Sequence, residues 1–318
     1  MNSTANSKWF VIVNPNAGSR KGEKDWKHIS ELLDKEGFEY EHFFTERKFQ
    51  AIEVCKKKIE EGYKNIIAVG GDGTLNEAAN GIFLQNKYNS TEITLGMITV
   101  GTGNDWGRMY NIPTKYKEAV KTIKRGRTFV QDAGFVNYQV DGKKEKRYFV
   151  NMAGMGYDAL VAQKTNAMKE RGKGGALAYL YNIFTGLFQY KTTFLEIDID
   201  NERIFEGDVF SLSLGICKFN GGGMMQLPNA IPDDGIFDVT VIRKTTKSRI
   251  IRNVKNLYDG TFLKLPEVET FRGRSIAVVS RPKNSIYLET DGESLGHSPL
   301  EFMIIPRSIK VIVENIEY

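Results

Sequence analysis

Residues 66–82 read IIAVGGDGTLNEAANGI, and this stretch decides the fold of the chain around it. Ile66 to Val69 is an uninterrupted apolar run, which is typical of a buried strand, and Gly70 to Gly73 follows it as a glycine-rich turn. Thr74 and Glu77 have the capping-box spacing, which predicts that a helix begins here with Thr74 as its N-cap. A strand, a glycine turn and a helix in this order indicate an α/β domain.

The turn is a candidate phosphate site, because a helix N-terminus behind glycines presents backbone N–H groups and the positive end of the helix dipole. The carboxylate of Asp72 lies inside the turn and would repel a bare phosphate. It therefore suggests a magnesium ion, a proton to be removed or a hydrogen bond to a sugar hydroxyl. An ordinary strand-to-helix turn with Asp as a turn former is the alternative, and the pattern alone leaves all of these open.

The whole chain sets broad limits on fold and location. Its 318 residues, 41% hydrophobic and 26% charged, suit two globular domains, and the net charge of +5 is compatible with an anionic ligand or membrane surface. Cys55 and Cys217 lie in no disulfide or zinc spacing, which favours a reducing cytoplasm. There is no signal-peptide core and no run of about 18 uncharged apolar residues, so any membrane contact is expected to be peripheral. Lys56 to Lys58 is interpreted as a solvated helix face and not as a nucleic-acid patch.

Two further polar loops follow predicted strands in the first 127 residues. The segment Asn14-Pro15-Asn16-Ala17-Gly18 follows Trp9 to Val13, and Gly101-Thr102-Gly103-Asn104-Asp105 follows Ile93 to Val100. Because the carboxyl ends of parallel strands meet at one edge of a sheet, the three loops are expected to converge there. Predicted helices at Gln50 to Glu61 and Tyr116 to Arg125 complete the alternation of a doubly wound, parallel sheet.

From Thr128 onward the pattern changes to period-two runs separated by turns, which predicts a mostly antiparallel β domain over residues 128–305. The segment 306–318 is expected to return to the first domain. Leu177 to Phe188 is an apolar helix that is either buried or in contact with lipid, and Thr246 to Leu263 is either a packed helix or a basic amphipathic helix on anionic lipid. The basic residues that precede the first of these helices are Lys164, Lys169, Arg171 and Lys173.

Two acidic turns in the second domain are candidate sites. Asp233-Asp234-Gly235 precedes a predicted strand and Asp291-Gly292-Glu293 follows one. Each fits an Asp-Gly turn that closes a hairpin. Together they also supply what a magnesium-dependent transfer needs, namely oxygen ligands for the ion and one acceptor for a hydroxyl proton.

These motifs resemble the diacylglycerol kinase catalytic family, specifically the soluble bacterial lipid kinases related to sphingosine kinases. The matching motifs are Asn14-Pro15-x-x-Gly18, Gly70-Gly71-Asp72-Gly73-Thr74-x-Asn76-Glu77, Gly101-Thr102-Gly103-Asn104-Asp105-x-x-Arg108, Asp234-Gly235-x-x-Asp238-Val239 and Asp291-Gly292-Glu293. Gly-Gly-Asp-Gly alone also occurs in NAD kinases and 6-phosphofructokinases. The resemblance implies a Rossmann-like ATP-binding α/β domain followed by an antiparallel β-sandwich domain, with the active site between them.

The resemblance also implies roles for individual residues. Those of the nucleotide site would be Asn14, Thr45, Gly70, Gly71, Asp72, Gly73, Thr74, Leu75, Asn76, Glu77, Gly101, Thr102 and Asn104. A structural magnesium loop would include Ile231, Asp233, Asp234 and Ile236. Glu293 would accept the proton of the lipid hydroxyl, next to Asp291 of the same motif, while Asp72 competes for this role. Because a P-loop lysine is absent, backbone amides, magnesium and Arg20 or Lys21 would have to neutralise the phosphates.

The sequence therefore predicts an enzyme that uses ATP and Mg²⁺ to phosphorylate a hydroxyl of diacylglycerol or a similar long-chain lipid at a membrane surface. A kinase for a soluble acceptor such as NAD and a non-catalytic nucleotide-binding or lipid-binding protein are the alternatives. Asp72, Asp291 and Glu293 together argue against the non-catalytic protein. The acceptor, whether diacylglycerol, a sphingoid base or a polyprenol, stays open, as does the oligomeric state, for which a homodimer is one option.

Overall fold

A computed structural model of the chain describes residues 8–101, 103–170 and 185–316. The chain divides into two compact units, Met1–Gln131 with Arg307–Tyr318 and Asp132–Pro306. Of the apolar helix predicted at Leu177 to Phe188, only 185–188 belongs to the described residues, and 185–189 is helical. Thr102, Arg171 and Lys173 lie outside the described residues, as does the side chain of Lys169.

The first unit is an α/β unit around a parallel sheet. Its strands are β1 (Trp9–Val13), β2 (Tyr40–Phe44), β3 (Asn65–Gly70) and β4 (Thr94–Thr99), in the order β2-β1-β3-β4, and the carboxyl part of β16 (Glu293–Ile312) pairs in parallel with β4. Its helices are α1 (Ala17–Lys24), α2 (Trp26–Lys35), α3 (Gln50–Glu61), α4 (Asp72–Leu84), α5 (Asp105–Met109) and α6 (Tyr116–Arg125). Helices α3 and α6 have the predicted bounds, which confirms the helical spacing of their apolar residues.

The core of this unit explains why its strands read as continuous apolar runs. Strand β1 is buried from Phe10 to Val13 and β3 from Ile66 to Gly70. Residues of α2 and α6 pack with those of the strands in one cluster, including Ile29, Leu33, Val120 and Ile123. The central strands are therefore fixed, and the loops at their carboxyl ends have a rigid base.

The predicted capping box at Thr74 and Glu77 is wrong. Helix α4 begins at Asp72 with Gly71 as its N-cap, so Thr74 lies inside the first turn. The Glu77 carboxylate accepts instead from two backbone N–H groups at the start of α3, those of Phe49 and Ala51, at 3.0 and 3.1 Å. Glu77 therefore joins α4 to the neighbouring helix, a contact that sequence spacing along one helix does not reveal.

The second unit is β-rich. Its strands are β5 (Thr128–Val140), β6 (Lys143–Phe149), β7 (Met152–Gly156), β8 (Thr193–Ile199), β9 (Glu202–Gly215), β10 (Phe219–Asn220), β11 (Met224–Met225), β12 (Phe237–Arg243), β13 (Val268–Gly273), β14 (Ser275–Arg281), β15 (Tyr287–Thr290) and most of β16. The main path is β13-β12-β9-β7-β15-β16, and the pairs along it are antiparallel. Strand β14 pairs with β16 and β8, β8 also pairs with β9, and β5 pairs with β16 and β6. Strands β5 and β16 each contribute residues to both units.

Helices are few in the described part of this unit, where α7 (Tyr157–Glu170) and α8 (Lys247–Asn253) are the longest. The single helix predicted from Thr246 to Leu263 is instead α8 followed by two 3₁₀ turns, Val254–Leu257 and Thr261–Lys264. Gly260 has a φ of 73°, which ends the helical path between the two turns. Across the described ranges, no helix has the length and apolar character that crossing a bilayer requires.

Candidate functional site

Three loops meet at the carboxyl edge of the parallel sheet in the first unit, which confirms the predicted convergence. A Cβ atom added to Gly18 would lie 2.0 Å from the carbonyl oxygen of Val100, and one added to Gly101 would lie 2.6 Å from the Cα atom of Gly71. Such distances leave no room for a side chain at either glycine. The backbones of the three loops are therefore in direct contact beside the N-terminus of α4, where a phosphate finds N–H groups and a positive dipole.

Hydrogen bonds fix the first two loops to each other. The Asn14 side chain donates from Nδ2 to the hydroxyl of Thr74 at 3.1 Å, and its Oδ1 accepts from the backbone N–H of Asn16 at 3.0 Å. Thr45 is buried at the end of β2, where its N–H donates to the Val13 carbonyl at 2.9 Å. These predicted nucleotide-site residues thus lie at the same sheet edge as the glycines.

The Asp72 carboxylate is directed at the start of α5. Its Oδ2 accepts from the N–H of Asp105 at 3.2 Å and its Oδ1 from the N–H of Trp106 at 3.0 Å. Both oxygens therefore cap a helix N-terminus, which stabilises the negative charge and holds the third loop against α4. This geometry favours a positioning role for Asp72 over proton abstraction.

The remaining predicted nucleotide-site residues differ in position. Gly73 lies in the first turn of α4, and Asn104 has a φ of 51° and donates to the Gly101 carbonyl at 3.0 Å. Leu75 and Asn76 are buried and pack inside the unit, and Glu77 holds α3. Of the two basic residues considered for the phosphates, Arg20 forms an exposed ion pair with Glu23 at 2.6 Å.

In the second unit, Asp291 and Gly292 form a two-residue turn between β15 and β16. Both have positive φ, 48° and 81°, as a type I′ hairpin turn requires. The Asp291 carboxylate is buried and accepts from three backbone N–H groups, those of Val150, Asn151 and Met152, at 2.9, 3.0 and 3.1 Å. A carboxylate with three amide donors anchors the turn, and these bonds favour a structural role over a catalytic one.

Glu293 is the first residue after this turn and is partly exposed. The Gly292 peptide before it is held on both sides. Its N–H donates to Glu289 at 2.8 Å, and its carbonyl accepts from the Asn166 side chain of α7 at 3.2 Å. Glu293 therefore stands on a fixed backbone, as a proton acceptor in a transfer reaction requires.

The predicted magnesium loop precedes β12 and is held by Asp132, which the sequence did not single out. The Asp132 carboxylate is buried and accepts from the N–H of Gly235 at 2.7 Å, while its N–H donates to the Pro232 carbonyl at 2.8 Å. Asp234 accepts from the N–H of Ile236 at 3.1 Å and pairs with Arg272.

The donor atoms of this loop fit Mg²⁺ in type, because carboxylate and carbonyl oxygens are the ligands that this ion prefers. The Asp234 carboxylate retains lone pairs beyond its two contacts, although Arg272 already offsets part of its charge. The described residues contain no group of three or more His, Cys, Asp or Glu side chains placed to hold a metal ion. Carbonyl oxygens, such as those of Ile231 and Ile236, would therefore have to supply much of the coordination.

Glu289 is a further buried carboxylate that the sequence did not indicate. Strict alternation in β15 would place it on the same face as Tyr287, which is 51% exposed, yet Glu289 is 2% exposed. Strand β15 lies between β7 and β16, and Leu288, Glu289 and Thr290 are all buried, so both faces of the strand are covered at this point. Burial raises the pKa of Glu289 to about 8, and the negative charges of Asp158 and Asp291 add to the effect.

Comparisons with known proteins agree with this architecture. Residues 8–136 match the diacylglycerol kinase catalytic domain, and residues 151–313 match the YegS C-terminal NAD kinase beta sandwich-like domain. The chain is 31% identical over 305 residues to the diacylglycerol kinase of Staphylococcus saprophyticus subsp. saprophyticus, covering 96% of this chain and 95% of that one. It is 30% identical over 305 residues to the diacylglycerol kinase of Staphylococcus aureus strain bovine RF122, covering 96% and 92%. The crystal structure of a candidate diacylglycerol kinase from Bacillus anthracis strain Sterne aligns with a TM-score of 0.75 at 25% identity, covering 98% and 99%.

Proposed function

The chain belongs to the diacylglycerol kinase family and is a lipid kinase, and from this premise we propose its reaction. It transfers the γ-phosphoryl group of ATP to a hydroxyl of diacylglycerol or a similar long-chain lipid, with Mg²⁺ as the metal. The oxygen of the lipid hydroxyl attacks phosphorus, the bond to the β-phosphate oxygen breaks, and ADP leaves.

The observation that carries the proposal is the close contact of the glycine loops beside the N-terminus of α4. A Cβ atom added to Gly101 would lie 2.6 Å from the Cα atom of Gly71, and one added to Gly71 would lie 3.3 Å from the Cα atom of Gly101. Small residues here let phosphate oxygens approach backbone N–H groups. This arrangement suits the polyphosphate of ATP without a P-loop lysine. It supports nucleotide binding by the first unit.

We assign the proton acceptor to Glu293. Phosphoryl transfer to a hydroxyl needs one group that takes the hydroxyl proton, and this group must stand near the substrate. Asp72 and Asp291 each use both carboxylate oxygens for backbone N–H groups. Glu293 is partly exposed and follows a turn whose backbone is fixed, which supports its role as the base.

We propose that Mg²⁺ is held by Asp234 together with backbone carbonyls of Ile231 and Ile236, with Asp233 acting through water. The ion would supply positive charge to the second unit. Asp132 supports this loop by binding the N–H of Gly235, so the loop has a defined shape before any ion is present.

The lipid is reached, in this proposal, from the cytoplasm by peripheral contact with the membrane. Phe188 and Ile251 are 64% and 42% exposed, and the Lys247 ammonium lies 5.5 Å from the Phe188 ring centre. Helix α8 has no buried residue and also carries Arg252. Exposed apolar side chains beside lysine and arginine favour anionic lipid, so the protein should sediment with vesicles that contain an anionic lipid and not with neutral ones.

Phosphorylation assays with purified protein test the reaction. The protein is incubated with ATP, Mg²⁺ and, separately, diacylglycerol, a sphingoid base, a polyprenol and NAD, and each product is scored for phosphate. We expect phosphorylation of a long-chain lipid. Product from NAD and from no lipid would overturn the assignment, and ATP binding without any product would make the protein a nucleotide-binding relative without turnover.

The variant Glu293→Gln tests the base. It keeps the size of the side chain and removes the proton acceptor, so turnover should fall by about 10² to 10⁴ while ATP still binds. Asp72→Asn is the matched comparison, because it makes the same chemical change at the competing carboxylate. Near-normal turnover in Glu293→Gln, with loss in Asp72→Asn and ATP binding intact in both, would transfer the role to Asp72.

A further inference from the structure

Glu289 has no role in the reaction proposed above, yet it contacts the turn that carries the base. Its Oε2 accepts from the N–H of Gly292 at 2.8 Å, one residue before Glu293. A Cβ atom added to Gly154 on the adjacent strand β7 would lie 2.5 Å from Glu289 Oε1. The carboxyl group therefore fills a space that the neighbouring glycine leaves open.

A chain of polar contacts links Glu289 to helix α7. Asn220 donates from Nδ2 to Glu289 Oε1 at 3.2 Å and to Gln226 Oε1 at 3.3 Å. Ser213 donates to Asp158 at 3.0 Å and lies 3.3 Å from the same Gln226 oxygen. One hydrogen-bonded network therefore lies behind the turn. Its five side chains are those of Glu289, Asn220, Gln226, Ser213 and Asp158.

The charged groups that face Glu289 are carboxylates. Asp158 comes from α7 and Asp291 from the turn, and Glu293 begins β16 after the turn. The groups on the other neighbouring strands are neutral, namely Gly154 of β7, Ser213 of β9 and Asn220 of β10. Burial among these groups raises the pKa of Glu289 to about 8 and also raises the pKa of Asp158, with the hydroxyls of Ser211 and Ser213 opposing the latter shift. Glu289 is therefore neutral at pH 7, and it gains a charge that repels its neighbours when the pH rises.

We propose that Glu289 is a positioning residue for the transfer reaction, which holds Gly292 and thereby keeps Glu293 in its reactive arrangement. This inference rests on the proposed lipid kinase function. The bond from the Gly292 N–H fixes the backbone directly before Glu293, and the contact with Asn220 fixes the Glu289 side chain in turn. Loss of this bond should lower turnover without a change in how the first unit binds ATP.

The test compares Glu289→Gln with Glu289→Ala. Glutamine keeps an acceptor for the Gly292 N–H and cannot ionise, whereas alanine removes the acceptor. We expect Glu289→Ala to lower kcat by about tenfold to a hundredfold with KM for ATP unchanged, and we expect Glu289→Gln to recover most of kcat. Glu301→Gln is the control, because this exposed glutamate lies on the same strand as Glu293 and binds Lys144 instead of the turn.

Hydrogen exchange at the Gly292 amide gives a second measurement that needs no substrate. At about pH 7 this amide should be protected in the wild type and in Glu289→Gln, and exposed to exchange in Glu289→Ala. Equal protection in all three proteins, or a kcat as low in Glu289→Gln as in Glu289→Ala, would overturn the inference. If the wild type phosphorylates no lipid, the proposed function fails, and the exchange measurement still decides whether Glu289 holds the turn.

Discussion

The substitution Asp291→Asn separates a structural carboxylate from a catalytic one. Asp291 accepts from Asn151 and Met152 with Oδ1 and from Val150 with Oδ2. Asparagine can keep the first two bonds through its carbonyl oxygen, but its NH₂ group then faces the N–H of Val150. One charge-assisted bond is lost and one buried N–H is left without an acceptor.

The magnitude follows from these two losses. A hydrogen bond to a charged group contributes about 1.5 to 3 kcal/mol, and a buried donor without a partner costs about 1 to 3 kcal/mol. Because the two terms overlap, we expect Asp291→Asn to lower the free energy of unfolding by about 2 to 4 kcal/mol. With a urea dependence of about 2 kcal/mol per molar, the unfolding midpoint should fall by roughly 1 to 2 M.

Urea unfolding followed by far-ultraviolet circular dichroism measures this shift. Asp200→Asn serves as the control, because the Asp200 carboxylate also accepts from backbone N–H groups, those of Arg274 and Ser275, but is exposed to water. Its midpoint should move by less than a third of the shift at Asp291. An Asp291→Asn protein with the wild-type midpoint and no kinase activity would refute the reasoning and assign Asp291 to the chemistry.

Three other substitutions test separate parts of the molecule. Gly101→Ala forces a Cβ atom to 2.6 Å from the Cα atom of Gly71, so calorimetry should show that ATP binding is weakened at least about tenfold. Gly207→Ala is the control and should bind ATP normally, because its Cβ atom would make only ordinary van der Waals contacts. Glu77→Gln should lower the free energy of unfolding in urea by about 1 to 3 kcal/mol, because one N–H at the start of α3 loses its acceptor; unchanged stability with strongly weakened ATP binding would make it a nucleotide ligand instead. The pKa of Glu289 rises from 4.5 in the unfolded chain to about 8 in the folded protein, so between these pH values the folded protein holds a proton that the unfolded chain releases. The free energy of unfolding should therefore fall by up to about 1.4 kcal/mol for each pH unit of increase in this range. Glu289→Gln should remove this slope.

The parts of the fold set by local patterns were predictable. Trp9 to Val13 and Gln50 to Glu61 have the predicted bounds, because an apolar run and a helical spacing depend only on nearby residues. The meeting of the loops at Gly18, Gly71 and Gly101 was also predictable, since parallel strands place their carboxyl ends at one edge.

The partners of the acidic side chains were not predictable from local patterns. Glu77 has the spacing for its own helix but reaches α3, and Asp72 caps α5, because both choices depend on which helices are neighbours in three dimensions. Glu289 is buried because β15 lies between β7 and β16 and is covered on both faces there, which the residue types of β15 alone do not reveal. The sequence indicated that Asp72 and Asp291 are important carboxylates. It did not indicate that each of them binds backbone N–H groups of another segment.

The sheet of the first unit is completed by a segment made late in synthesis. Lys310 and Val311 of β16 pair with β4, and the backbone N–H of Val313 donates to Arg127. Residues 132–306 separate this segment from the rest of the first unit in the chain, so the first unit is complete only when both of its segments are present. Residues 132–306 are thus a natural contiguous fragment for expression, whereas a fragment ending at Gln131 lacks its outer strand and would need residues 307–316 supplied as a separate peptide.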